Sequence, residues 1–141
     1  MNRRDAMIAT AALVAASSPA LAQHDHAGHD HAGPNPLLDS ANACVKAGLA
    51  CLDHCLQSLA TGDVSLAECA RSTDQLLSVC GTLAKLASTK SSYLPAMAKF
   101  TLTVCQDCEK VCRKHADKHA TCKACAEACA TCAGECKKVA A

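Results

Sequence analysis

An all-α fold, an up-down-up-down four-helix bundle with a Cys-lined core, is what this sequence predicts. Three observations carry the prediction. The thirteen cysteines fall in four stretches, at steps of 3, 4, 7 or 11 residues within each. Each of those steps returns a side chain to one face of an α-helix. The stretches have room for helices of roughly 20–24 residues joined by short connectors, as in an antiparallel bundle. Alternation of apolar and polar residues, the mark of half-buried strands, is absent.

The first helix is expected over residues 37–60, with Asp39 and Ser40 available for capping. Thr61-Gly62-Asp63 stops it, and Asp63 is placed to cap a second helix over 64–87. Residues 88–92 break the pattern. Pro95 suits the first turn of a third helix over 92–114, where a missing N–H leaves no partner unsatisfied. Residues 115–120 make the last connection, and the fourth helix is expected over 119–139.

Two segments precede the bundle. Residues 1–22 read as a twin-arginine signal peptide: Arg3-Arg4, an apolar stretch over 6–16, and Pro19-Ala20-Leu21-Ala22 as a small-residue cleavage site. They predict export, to a periplasm or other exported compartment. Residues 23–36 hold His24, His26, His29 and His31 among Gly and Pro, without apolar period. That is a disordered His-rich tail, read either as a solvated leader or as a metal-gathering tract. Residues 37–141 are left as the metal-binding bundle domain.

Composition removes several function classes. The formal charge is +1 and Arg is scarce, so no strongly basic face awaits nucleic acid. The longest apolar run lies in the leader and is too short to span a bilayer comfortably, which leaves no membrane span after signal cleavage. One Tyr, one Phe and no Trp exclude an ordinary core of interlocking large side chains. Leu76 and Leu77 read as outward leucines available to an interface.

The cysteines are the informative feature. The first helix carries Cys44, Cys51 and Cys55; the second Cys69 and Cys80; the third Cys105, Cys108 and Cys112; the fourth Cys122, Cys125, Cys129, Cys132 and Cys136. Charge sits on the opposite faces, as with Lys123, Glu127, Glu135 and Lys137, or Asp107, Lys110 and Lys114. Folding the bundle points all thirteen sulfurs into one tube. Met97 falls on the inward stripe of the third helix, as core packing or as a thioether ligand. Gly48 lies between Cys44 and Cys51, either to let helices approach or to free a carbonyl.

Four readings compete for the sulfur. Buried Cys packs as a small hydrophobe, but thirteen exceed what packing asks. A disulfide scaffold is the default for a short exported Cys-rich chain. Against it, the count is odd, and neighbours one helical turn apart have Cβ atoms about 5–6 Å apart where a disulfide wants about 3.8 Å. An iron–sulfur cluster is suggested by Cys105-x2-Cys108 and Cys122-x2-Cys125, yet no Cys-Pro follows. The fourth reading is multinuclear binding of a soft metal. Cu(I) is selected by thiolates. A buried zinc site with four thiolates carries a net charge of −2 and needs cationic help in a dry core. One Cu(I) per thiolate sums to zero, which predicts about 13 ions per chain, through thiolate selectivity for Cu(I).

On Cys51-Leu52-Asp53-His54-Cys55, Cys105-x2-Cys108-x3-Cys112 and the run from Cys122 to Cys136, the sequence resembles the bacterial copper storage proteins. The resemblance covers residues 37–141. It implies many Cu(I) ions held as stored cargo inside a four-helix bundle, and a homotetramer as in exported members. It further implies a copper-dependent client such as an exported methane mono-oxygenase. Exported members add a His and several Met at one bundle mouth. His54 matches the His and joins the thirteen Cys as an expected metal ligand. Ser58, Thr61 and Leu66 stand where the thioethers are expected. His115 and His119 lie at the same mouth, either as substitutes for those Met or as solvated loop residues.

The functional expectation is copper storage for later supply to exported copper enzymes. A metallothionein-like detoxifying sink and an iron–sulfur protein stay open as alternatives. No enzyme is expected: there is no Ser-His-Asp set, no singled-out nucleophile, and none of the Glu-x-x-His motifs of di-iron bundles.

Overall fold

The computed structural model describes residues 33–140. The expected signal peptide and the four histidines of the tail lie outside the described residues. Four helices appear in the predicted order: α1 (Pro36–Ala60), α2 (Ala67–Ser88), α3 (Leu94–Arg113) and α4 (Ala120–Val139). Helix α1 packs on α2 and α4, and α3 packs on the same two, so α1 and α3 sit diagonally. Among the described residues no helix is long and apolar enough to cross a membrane.

The helix ends follow local chemistry. Asn35 caps α1, its side chain accepting from the Leu38 N–H at 3.1 Å, ahead of Pro36 in the first turn. The cap thus falls earlier than Asp39 or Ser40; Ser40 Oγ instead donates to the Leu37 carbonyl at 3.0 Å. Gly62 takes the left-handed φ of +87° that ends the α1 turn, a conformation glycine adopts without Cβ strain. Asp63 caps as predicted, accepting from Ser65 N–H at 2.9 Å. What it caps is a separate 3₁₀ turn, Val64–Leu66, that feeds α2. Pro95 lies in the first turn of α3.

The core mixes sulfur, alanine and a few leucines. All thirteen Cys are fully buried, with Leu66, Leu76 and Leu83 as the largest apolar side chains beside them. The outward placement of Leu76 is therefore corrected. It is seven residues, two helical turns, beyond Cys69 and shares its inward face. Leu77 is half-buried against α1, where a Cβ on Gly48 would come 2.9 Å from Leu77 Cδ2. Gly48 thus serves close approach of α1 and α2. Met97 packs half-buried against the core.

The two ends of the bundle differ. At the α1 N-terminal end one thiol, Cys136 in the last turn of α4, is buried together with the apolar side chains of Leu37, Ala41, Leu83, Ala87 and Ala98. At the other end sulfur runs almost to the helix termini: Cys69 and Cys122 lie in the first turns of α2 and α4, and Cys112 in the last turn of α3.

Candidate metal centre

The 3.6-residue period sets the site, because each helix devotes its inward stripe to thiols. All thirteen Cys are free and buried. Four groups hold sulfurs that lie within 4.8 Å of one another inside each group: Cys44/Cys80/Cys105/Cys132, which stands apart, and Cys51/Cys55/Cys69/Cys122, Cys51/Cys112/Cys125 and Cys108/Cys125/Cys129, which overlap; Cys136 belongs to none of them. Two metal–sulfur bonds of about 2.3 Å in line span about 4.6 Å, and bent at 120° about 4.0 Å. The close contacts between helices fit the bent arrangement: Cys44 to Cys129 at 3.9 Å, Cys51 to Cys122 at 3.8 Å, Cys80 to Cys105 at 3.8 Å and Cys69 to Cys112 at 3.5 Å.

Two features separate a monovalent soft ion from zinc. Cys51 and Cys125 each belong to two groups, so their sulfurs are placed to bridge metals rather than to close isolated four-thiolate sites. The buried polar side chains among the described residues are Ser40, Thr73 and Thr101, none of them cationic. A dianionic zinc site would have no buried countercharge here, whereas Cu(I) bridged by thiolates is neutral.

Protonation in the tube is uneven. The Cys44 thiol is pulled down to about 5, first by its hydrogen bond with Cys105 and then by that with Cys129. Cys51, Cys108 and Cys132 are likewise pulled down, by S–H donors led by Cys112 for the first two and by Cys105 for the third. Burial, joined by neighbouring thiolate charge, pushes Cys55 and Cys122 up. A metal ion filling a group displaces protons, so binding tightens as pH rises.

His54 is half-buried beside the mouth, and its Nε2 lies 2.8 Å from His119 Nδ1. Their rings are 4.9 Å apart, and His115 follows at 6.4 Å from His119. Sequence reasoning put the three histidines at one mouth but not the direct His54–His119 contact. It missed Thr73, whose Oγ1 lies 3.9–4.0 Å from the sulfurs of Cys51, Cys108 and Cys112. Its spacing of four from Cys69 was the available signal.

The profile of the copper storage protein family matches residues 30–141. The chain is 30% identical to the Cu(I)-bound copper storage protein BsCsp3, from Bacillus subtilis, with a TM-score of 0.68 over 74% of this chain and 95% of that one. It is 30% identical to the copper storage protein Ccsp of Streptomyces lividans loaded with 10 copper equivalents, with a TM-score of 0.67 over 74% and 80% of the two chains. A five-copper structure, described as a cytosolic copper storage protein from Streptomyces lividans, matches with a TM-score of 0.67 and 30% identity over 74% and 89%. No curated protein sequence matches the chain.

The cytosolic description of the Streptomyces lividans protein overturns the expected export to a periplasm or other exported compartment. That expectation came from residues 1–22, outside the described residues, while the bundle itself carries no address. The sulfur-lined bundle, the lack of a buried cationic side chain among the described residues and the match across most of the sequence converge on one assignment: this chain belongs to the copper storage protein family.

Proposed function

We propose that the thirteen Cys thiolates, with His54 at the mouth, are the ligands of this store and take up about one Cu(I) each. The observation that carries the reading is the overlap of buried thiol groups, with Cys51 and Cys125 shared between neighbours. The chain holds its cargo and does no catalysis. Anaerobic titration of reduced protein with Cu(I) against a chromogenic chelator is expected to saturate at about 13 ions per chain. Saturation at three or four would point to isolated four-thiolate sites instead.

His54, His115 and His119 form the way in and out. Imidazoles bind copper and exchange it more readily than a dry thiolate tube does. Replacing His115 and His119 together with Ala is expected to slow copper uptake and removal at least several-fold. Unchanged rates would leave them as solvated loop residues. A client copper enzyme is the destination of the cargo, and detoxification is the second reading. The two part on reversibility: stored copper passes to an apo-enzyme or strong chelator within the assay, whereas a sink retains it.

The stored form is a homotetramer. Leu49 and Leu56 on α1 are 57% and 53% exposed and continue the half-buried Val45 and Leu52 at steps of 4, 3 and 4. An apolar stripe at that spacing seats a second helix of the same kind. Antiparallel pairing of two α1 stripes brings Lys46 of one copy beside Asp53 of the other, an opposite-charge match in both directions. Phe100 on α3, 56% exposed, marks a second apolar face. Sedimentation is expected to give tetramers for the wild type and smaller species for Leu49→Glu with Leu56→Glu. A wild-type monomer would remove this assembly.

A further inference from the structure

We propose that the mouth also reduces Cu(II), with Cys69 and Cys112 as the electron donors; this rests on the copper-storage reading and extends it to the other oxidation state of the cargo. The first support is the histidine pair. Two imidazole nitrogens bound cis to one metal at about 2.0 Å lie about 2.8 Å apart. His54 Nε2 and His119 Nδ1 lie 2.8 Å apart as a hydrogen-bonded pair, so a metal that replaces the shared proton needs little change in their separation. Nitrogen ligands at right angles suit Cu(II), whereas the thiols behind them suit Cu(I). The structure therefore grades from a site for one oxidation state to sites for the other.

The second support is what lies behind the pair. Cys55 follows His54 directly and Cys122 is one helical turn beyond His119; both belong to the sulfur group that includes Cys69. Cys69 Sγ lies 3.5 Å from Cys112 Sγ, the shortest sulfur–sulfur approach among the described residues. The two sit on different helices, α2 and α3, in their terminal turns at this end. Cys108 and Cys112, 3.8 Å apart, are four residues apart on one helix, where Cβ spacing of about 5–6 Å opposes a disulfide. Bridging Cys69 to Cys112 asks the least of the backbone.

The step balances with Cu(II) as the oxidant. Two Cu(II) ions each accept one electron and become Cu(I). The S–H bonds of Cys69 and Cys112 break, their two protons go to water, and one S–S bond forms. The two Cu(I) ions pass to the remaining thiols, whose preference for the reduced ion draws the reaction forward. Uptake of Cu(II) then costs the chain two of its thirteen thiols, whereas uptake of Cu(I) costs none.

The test uses reduced full-length protein, anaerobically, with two equivalents of Cu(II) chloride. Expected are loss of the Cu(II) electron paramagnetic resonance signal, loss of two thiols per chain, and a Cys69–Cys112 disulfide in peptide maps. His54→Gln with His119→Gln is expected to slow the signal loss by at least the roughly tenfold that even outer partners of a metal ligand cost. A persistent signal, thirteen intact thiols, a disulfide mapped to another pair, or a rate indifferent to the two histidines each overturns the proposal. The same preparation titrated with Cu(I) separates the two readings. Full Cu(I) uptake beside inert Cu(II) sinks only the reduction, while failure to bind Cu(I) sinks the store.

Discussion

Filling the reduced chain with Cu(I) is expected to raise its melting temperature by tens of degrees. The reason is the makeup of the core. Thirteen of its buried side chains are Cys and most of the rest are Ala, with Leu66, Leu76 and Leu83 as the only leucines excluded completely from solvent among the described residues. Such side chains bury little apolar surface each, at about 0.8 kcal/mol per methylene. The apo bundle therefore lies toward the low end of the usual 5–15 kcal/mol. A ligand at a hundred times its dissociation constant, bound only by the folded state, adds about 2.7 kcal/mol per site. A few such sites rival the whole stability of the empty fold. Circular dichroism melts taken anaerobically at increasing loading check this. The midpoint should climb with each addition, and a flat series would mean that the tube is not where the metal goes.

Leu83→Ala is expected to separate folding from cargo. Leu83 is fully buried in the apolar end, away from the sulfur-rich mouth. Truncating a buried Leu costs about 2–5 kcal/mol, depending on how far the cavity collapses. For an apo bundle of low stability that is a large share. No sulfur is lost, so the number of Cu(I) ions bound per chain stays at the wild-type value. The expected result is a strongly lowered apo midpoint, rescued on loading, with unchanged capacity in the chelator titration. A fall in capacity together with stability would place Leu83 among the determinants of the site.

Much of this architecture was legible because one residue type reports helix phase. In the fourth helix five Cys at alternating steps of 3 and 4 leave no doubt about which face is inward. The second helix offers two Cys eleven residues apart, and there the reading slipped: Leu76 was placed outside although its register with Cys69 is the inward one. Helix ends were readable to within a few residues. The 3₁₀ turn at Val64–Leu66 was not, since three residues show no period of their own. Asn35 capped α1 through a side-chain contact that Asp39 and Ser40 offered equally well on paper. Distances between helices lie beyond sequence altogether, so the sharing of Cys51 and Cys125 and the His54–His119 contact emerged only in three dimensions. The export reading failed for another reason: a bundle that holds copper folds alike on either side of a membrane.

The apolar closure at the α1 N-terminal end leaves the tube blind. On the proposed route past the histidines, ions would settle inward behind one another, with the earliest arrivals farthest from water. Discharge then runs in reverse order of arrival, and withdrawal by a competitor is multiphasic: a prompt fraction, then a slow remainder whose departure waits for its successors to clear.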